Sequence, residues 1–274
     1  NSLISNNTER IEKVLRATRS EGELIKITKC DDEIAEAEDI VQKLKLLNRN
    51  CTNPAWRDIA ILYRTNAQSR AIEESLVRWS IPYLVVGGLR FYDRREIKDI
   101  LAYLKLLINP ADTVSLLRIL NVPKRGIGKT TIQNLSDASN QLGIPLWEVV
   151  NDSEAVLSLA GRASKSLLIF SDLINNLCNN LNNSRPSELI QLVIEKSGYL
   201  KELINNGTDE SEERRRNLQE LINAALQYEE ENESADIEGF LESASLASDA
   251  DNKDGKANKV TLMTLHSSKG LEFP

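Results

Sequence analysis

Three groups of residues have the types and spacing to do chemistry. The first is Gly126-Ile127-Gly128-Lys129-Thr130. It carries the Gly-Lys-Thr ending of a loop that wraps nucleotide phosphates. That loop needs a glycine five positions before its last one, so that the backbone can fold around the anion. Pro123 stands there instead, and Leu116 to Asn121 reads as a helix end rather than the strand such a loop follows. The nucleotide-loop reading is therefore set aside, and two readings remain open. One is a hairpin between helices whose glycines let backbone N–H groups approach a phosphate, with Lys124, Arg125 and Lys129 adding charge. Such a loop can grip a nucleic-acid backbone without reading its sequence. The other is a plain tight turn with solvated lysines.

The second group is Tyr63-Arg64 at the end of an apolar run, followed by Thr65-Asn66-Ala67-Gln68-Ser69-Arg70. Ligands of α/β sheets sit at strand ends, where a Tyr can stack on a base and an Arg can fork onto phosphate oxygens. The competing reading is a capped helix start, with Asn66 or Ser69 as the cap. The third group is Thr264-Leu265-His266-Ser267-Ser268-Lys269-Gly270-Leu271-Glu272-Phe273. Here a strand runs into a polar turn that ends in a carboxylate. Its hydroxyls, Lys269 and His266 could hold phosphate or sugar, or His266 is an ordinary hydrogen-bonded histidine.

The elements that must position these groups can be read from periodicity. Thr8 to Arg19 reads as a short charged helix, and Leu24, Ile25, Ile27 and Thr28 as a strand. Glu33 to Leu47 is a helix with Ile34, Ala37, Ile40, Val41, Leu44 and Leu47 on one stripe. Asp58 to Arg64 is a buried strand, Ser69 to Trp79 a helix, and Pro82 to Val86 a strand closed by Gly87-Gly88. Glu96 to Leu107 is amphipathic at helical spacing. Alternating strands and helices imply a parallel α/β sheet. From Thr113 to about Ser248 helical periodicity takes over, and strand character returns at Lys259 to Leu265. A helical block that interrupts an α/β region reads as one domain inserted into another.

Composition narrows the function classes. The chain has 274 residues, 41% hydrophobic and 27% charged, which is ordinary for a globular protein. Aromatics are only 5%, so the core must be mostly aliphatic. Cys30, Cys51 and Cys178 are far apart and lack zinc spacing, so neither a disulfide framework nor a structural zinc site is expected. A single histidine, His266, leaves little room for a histidine-rich metal site. The net charge of −7 opposes a general nucleic-acid binder, although a local basic loop can still hold phosphate. No apolar run approaches the length of a membrane span. A start at Asn1 without an initiating Met, and an end at Pro274, are expected of an internal piece of a longer cytoplasmic protein.

Together the segments resemble a known series. ILYRTNAQSRAIEESL resembles motif IV of superfamily 1 DNA helicases of the UvrD/PcrA/Rep type. GGLRFYDRREIKDILAYLKLLINP resembles the segment that follows it, and NVPKRGIGKTTI the glycine loop of the inserted 2B domain. VTLMTLHSSKGLEFP resembles motif V. All four stand in family order, and the resemblance covers nearly the whole chain.

The resemblance implies a partial RecA-like domain (2A) interrupted by a mostly helical 2B domain. Residues 1–22 would be a linker, 23–108 the first part of 2A, 109–257 the insertion and 258–274 the return strand. It also implies roles. Tyr63 would stack on adenine, and Arg64 would reach the γ-phosphate and stabilise transition-state charge. Glu272 would hold the nucleotide through its ribose. Thr264 and His266 would contact single-stranded DNA, with Arg90 and Arg94 as further candidates. Gly126, Ile127, Gly128 and Lys129 would hold the duplex ahead of a fork. The family's phosphate loop and its acidic Mg²⁺ motif have no counterpart in this sequence. The expected cofactor, ATP with Mg²⁺, therefore belongs to the longer protein, with none bound tightly by this chain. The expected partners are single-stranded DNA and single-strand/duplex junctions, and repair or transcription proteins through the helical block. The activity expected of the longer protein is ATP-driven 3′-to-5′ movement and unwinding. The alternatives are a DNA-backbone-binding module without an engine, and a protein-interaction domain.

Overall fold

A computed structural model describes residues 22, 24–48, 55–249 and 258–273. Three short strands form one parallel sheet: β1 (Ala60–Tyr63), β2 (Tyr83–Val86) and β3 (Val260–Thr264). Their order is β1-β3-β2, so the last strand in sequence is the middle one in space. Tyr63 lies opposite Thr264, and Val86 opposite Met263, which brings the C-terminal ends of all three strands to one edge.

One face of the sheet is covered by α1 (Glu33–Asn48) and α2 (Ser69–Arg78). Ala37, Val41 and Leu44 recur at helical spacing on α1, and Ile72 and Leu76 on α2. They pack against Tyr63, Tyr83, Val260 and Leu262. Strand alternation sends the intervening residues the other way. Leu62 and Leu84 are accordingly 45% and 49% exposed.

A second, larger core begins at Phe91 and runs through the helices that follow: α3 (Arg95–Ile108), α4 (Thr113–Ile119), α5 (Lys129–Leu142), α6 (Leu146–Asn151), α7 (Ser153–Leu159), α8 (Ser164–Cys178), α9 (Pro186–Lys196), α10 (Tyr199–Asn206), α11 (Asp209–Glu231) and α12 (Ile237–Asp249). α3 is buried almost all round, as a helix enclosed by other helices must be. Its apolar residues join this helical core and not the core under the sheet. The α/β architecture with a parallel sheet and a dominant helical block is the one read from the sequence.

Two expectations fare differently. The strand expected at residues 24–28 is absent: Leu24, Ile25 and Ile27 are at least 90% exposed and pair with no strand among the described residues. Alternation without a neighbouring edge leaves a strand nothing to bond to. The helix expected at 8–19 lies outside the described residues.

Buried charge joins the two cores. The Arg70 side chain is 1% exposed, with its guanidinium 2.8 Å from Glu74 and 3.1 Å from Glu220 of α11. Burial opposes its charge, but the two carboxylates outweigh that and hold the group above the ordinary arginine range. Burial in turn pushes the Glu74 carboxyl up, against the pull of Arg70.

Candidate functional site

The residues at the C-terminal ends of the strands form one surface. Arg64 follows β1 directly, and its side chain is exposed. Thr65-Asn66-Ala67-Gln68 then makes a short 3-10 turn closed by a capping box between Thr65 and Gln68. The Gln68 side-chain oxygen accepts from the backbone N–H groups of Arg64 (3.0 Å) and Thr65 (3.1 Å). That is the local reason for the sequence Arg-Thr-Asn-Ala-Gln: the glutamine fixes the direction in which the arginine leaves the sheet. Neither Gln68 nor Asn66 was singled out as a functional residue from the sequence, although Thr and Gln three apart are a readable capping pair.

The third sequence group lies alongside. Leu265 N–H donates to the Tyr63 carbonyl at 2.9 Å, extending the pairing of β3 with β1. The Thr264 hydroxyl accepts from the Ser267 N–H at 3.2 Å and lies 3.0 Å from the Ser267 hydroxyl, folding the chain into a tight turn. His266 is carried out at the top of that turn, exposed. Arg64 Nη1 is 3.5 Å from both ring nitrogens of His266, a contact across the ring rather than in line with one nitrogen. Gly87 closes the third side. It has φ +76°, and a Cβ placed on it would lie 2.6 Å from the Ser267 hydroxyl oxygen. Glycine is needed here for both the left-handed backbone and the close approach of the turn.

Arg64 and His266 are thus brought together at the strand ends, beside the turn that the Thr264 hydroxyl closes, whereas Tyr63 is not part of that surface. Tyr63 and Arg64 alternate across the strand, and Tyr63 is only 6% exposed, packed in the core under the sheet. No hydrogen bond of good geometry reaches its hydroxyl from the described residues. Burial, and then Glu73, push its pKa up to about 12. Tyr63, expected to stack on adenine, is thus placed in the core under the sheet and not beside Arg64. Glu272 is exposed beyond the motif V turn, and Arg90 is half-buried with its guanidinium 5.4 Å from the Tyr83 ring centroid.

Arg94 also departs from expectation. It is 6% exposed and spends its donors inside the protein. Its guanidinium reaches Asn217 Oδ1 (2.9 Å), the Asn66 carbonyl (2.9 Å) and the Ser69 hydroxyl (2.7 Å). Burial pulls its pKa down, and Glu73 and Glu96 oppose that. A guanidinium committed in this way braces the turn from inside the protein.

The glycine loop sits in the helical block. Gly126 (φ +76°), Gly128 and Lys129 are exposed. Gly128 caps α5 with no side chain closing the helix start. Ile127 is 1% exposed and anchors the loop in the helical core, so its side chain is not a contact residue. Asn121 Oδ1 accepts from the N–H groups of Arg125 (2.8 Å) and Ile127 (3.3 Å). Arg125 donates to the Ile119 and Val122 carbonyls (both 2.9 Å) and the Tyr103 hydroxyl (2.5 Å). Its charge serves the loop's shape. The groups left for an anion are Lys129, Lys124 and the first N–H groups of α5.

The model of the UvrD-like helicase C-terminal domain matches residues 1–274. The chain is 37% identical over 280 residues to the ATP-dependent DNA helicase PcrA of Leuconostoc citreum. It is 38% identical over 276 residues to the proteins of that name in Staphylococcus aureus strain Mu50 and Staphylococcus epidermidis strain ATCC 35984. Each match covers 100% of this chain and 37% of the relative, so the chain spans a little over a third of the length of the relatives it matches.

Proposed function

The chain belongs to the UvrD-like helicase C-terminal domain family, and from that premise we propose that it is the strand-gripping part of an ATP-dependent DNA helicase. In this reading the longer protein moves 3′-to-5′ on single-stranded DNA. Residues 23–108 and 258–274 serve as its second RecA-like domain, and 109–257 as the inserted domain. The observation that carries the reading is the meeting of Arg64 and His266 on one exposed strand-end surface, beside the turn closed by Thr264.

That surface favours a phosphodiester strand over a nucleotide for Arg64. Its neighbour within reach is His266, and the tyrosine that would hold an adenine beside it is buried. A guanidinium and an imidazole can contact successive backbone oxygens without reading bases. Glu272, further along and exposed, is left to touch the nucleotide of the assembled motor. The residues present do not make a phosphate site. The sequence has no Gly-x-x-x-x-Gly-Lys-Ser/Thr loop, and no cluster of metal-ligating side chains occurs among the described residues. ATP and Mg²⁺ are therefore assigned to the longer protein, and no hydrolytic step is built on this chain. The chain by itself should show no DNA-stimulated ATPase. Sustained turnover by a clean preparation of the chain would refute this.

Loop 126–129 serves the duplex in the same reading, through Lys129, Lys124 and the α5 N–H groups. Replacing Gly126 and Gly128 together by alanine in the full-length protein should weaken binding to blunt duplex about tenfold, the loss expected when one or two charge-assisted backbone contacts go. ATPase stimulated by a single strand should stay within about twofold, since no such contact is removed there. An equal fall in both would show that the substitutions unfold the block instead.

A further inference from the structure

The Arg64 turn is held from the helical block. Asn66, two residues beyond Arg64, is gripped twice. Its side-chain amide donates to Glu213 Oε1 at 2.5 Å, and its carbonyl accepts from Arg94 at 2.9 Å. Arg94 is in turn fixed by Asn217 Oδ1 at 2.9 Å, and the Asn217 amide donates to Glu96 Oε1 at 2.6 Å. Asn217, Arg94, Glu96 and Ser69 are all buried. Glu213 and Asn217 lie one turn apart on α11, which places both on the helix face turned to the strand ends.

We propose that Glu213 and Asn217 are positioning residues for strand binding: α11 sets the place of the Arg64 turn, and through it the affinity for single-stranded DNA. This rests on the reading of Arg64 as a strand contact. The physical basis is the contrast between the two ends of the turn. The Arg64 side chain is exposed and touches His266, while the turn that aims it is held at the Asn66 side chain by Glu213 of α11 and at the Asn66 carbonyl by buried Arg94, which Asn217 of α11 fixes in turn. A contact group holds its geometry only as well as the shell behind it. Glu213 is half-buried, so its loss need not disturb the core. Asn217 is 3% exposed and carries the stronger constraint.

The test uses the full-length protein, an oligo(dT) strand and a blunt duplex. Asn217→Ala and Glu213→Ala should each raise the oligo(dT) concentration that half-saturates ATPase, by about tenfold and about threefold respectively, as expected for contacts of these strengths. Maximal turnover and duplex affinity should stay within about twofold. The decisive measurement repeats both in an Arg64→Ala background. Residues acting through the Arg64 turn should then add little further loss, because effects within one network do not add. If either variant loses as much in that background as in the wild type, the proposal is overturned. It is also overturned if neither shifts the half-saturating concentration while Arg64→Ala does. If Arg64→Ala itself causes no shift, the strand-contact reading fails first. Should Asn217→Ala not fold, Glu213→Ala carries the same test alone.

Discussion

Replacing Arg70 by alanine should lower the unfolding free energy by about 3–5 kcal/mol, the usual cost of removing one member of a buried ion pair. Arg70 has only 1% of its side chain exposed, and three carboxylates approach it: Glu74, Glu220 and, at 3.8 Å, Glu33. Without the guanidinium, Glu74 and Glu220 lose their cation while still partly withdrawn from water. Because Glu220 comes from α11 and Glu74 from α2, the loss should fall on the junction between the two cores. Chemical denaturation followed by far-ultraviolet circular dichroism measures it. A loss below about 1 kcal/mol would place Arg70 among exposed salt bridges, which contribute that little.

Arg64→Ala is the second large effect, and it concerns binding. In the full-length protein the half-saturating concentration of single-stranded DNA should rise about 10- to 100-fold, the range for losing charge-assisted hydrogen bonds. If Arg64 neutralises one phosphate, the slope of log affinity against log salt should become shallower by about 0.7, the value per phosphate for single strands. Turnover at saturating DNA should be nearly unchanged. The opposite pattern, intact strand affinity with turnover down by orders of magnitude, would return Arg64 to the γ-phosphate role that the motif resemblance implies. Affinity titrations at three salt concentrations and a saturating ATPase assay separate the two.

Much of the architecture was legible because it rests on local signals. Helical spacing marked α1, α2 and α3 to within one or two residues, and short β-branched or aliphatic runs marked the three strands. The strand expected at 24–28 shows the limit of that method: alternation is necessary for a strand, but a strand also needs an edge to join. At the site, Arg64, Thr264 and His266 were legible as strand-end residues. The burial of Tyr63 beside an exposed Arg64 follows from the strand period of two, which sends neighbours to opposite faces. The burial of Arg94 was not legible, because a sequence shows a charge and not its partners. Its partner Asn217 lies in a helix far along the chain. Ile127, flanked by two exposed glycines, was grouped with them by position, yet an isoleucine there is better explained as the anchor that lets the glycines stay outside.

The order of the strands has a consequence for how the molecule is made. Among the described residues β1 and β2 do not pair with each other; each pairs with β3, which the ribosome delivers after the whole helical block. The helical block has its own core, separate from the one under the sheet, and its residues all precede Val260 in sequence, so it can form first. The sheet cannot close until Val260 to Thr264 has emerged, and until then β1 and β2 present unpaired backbone. Chains halted before Val260 should therefore hold a folded helical body beside an unassembled strand-end surface, so the ability to grip a strand is acquired last.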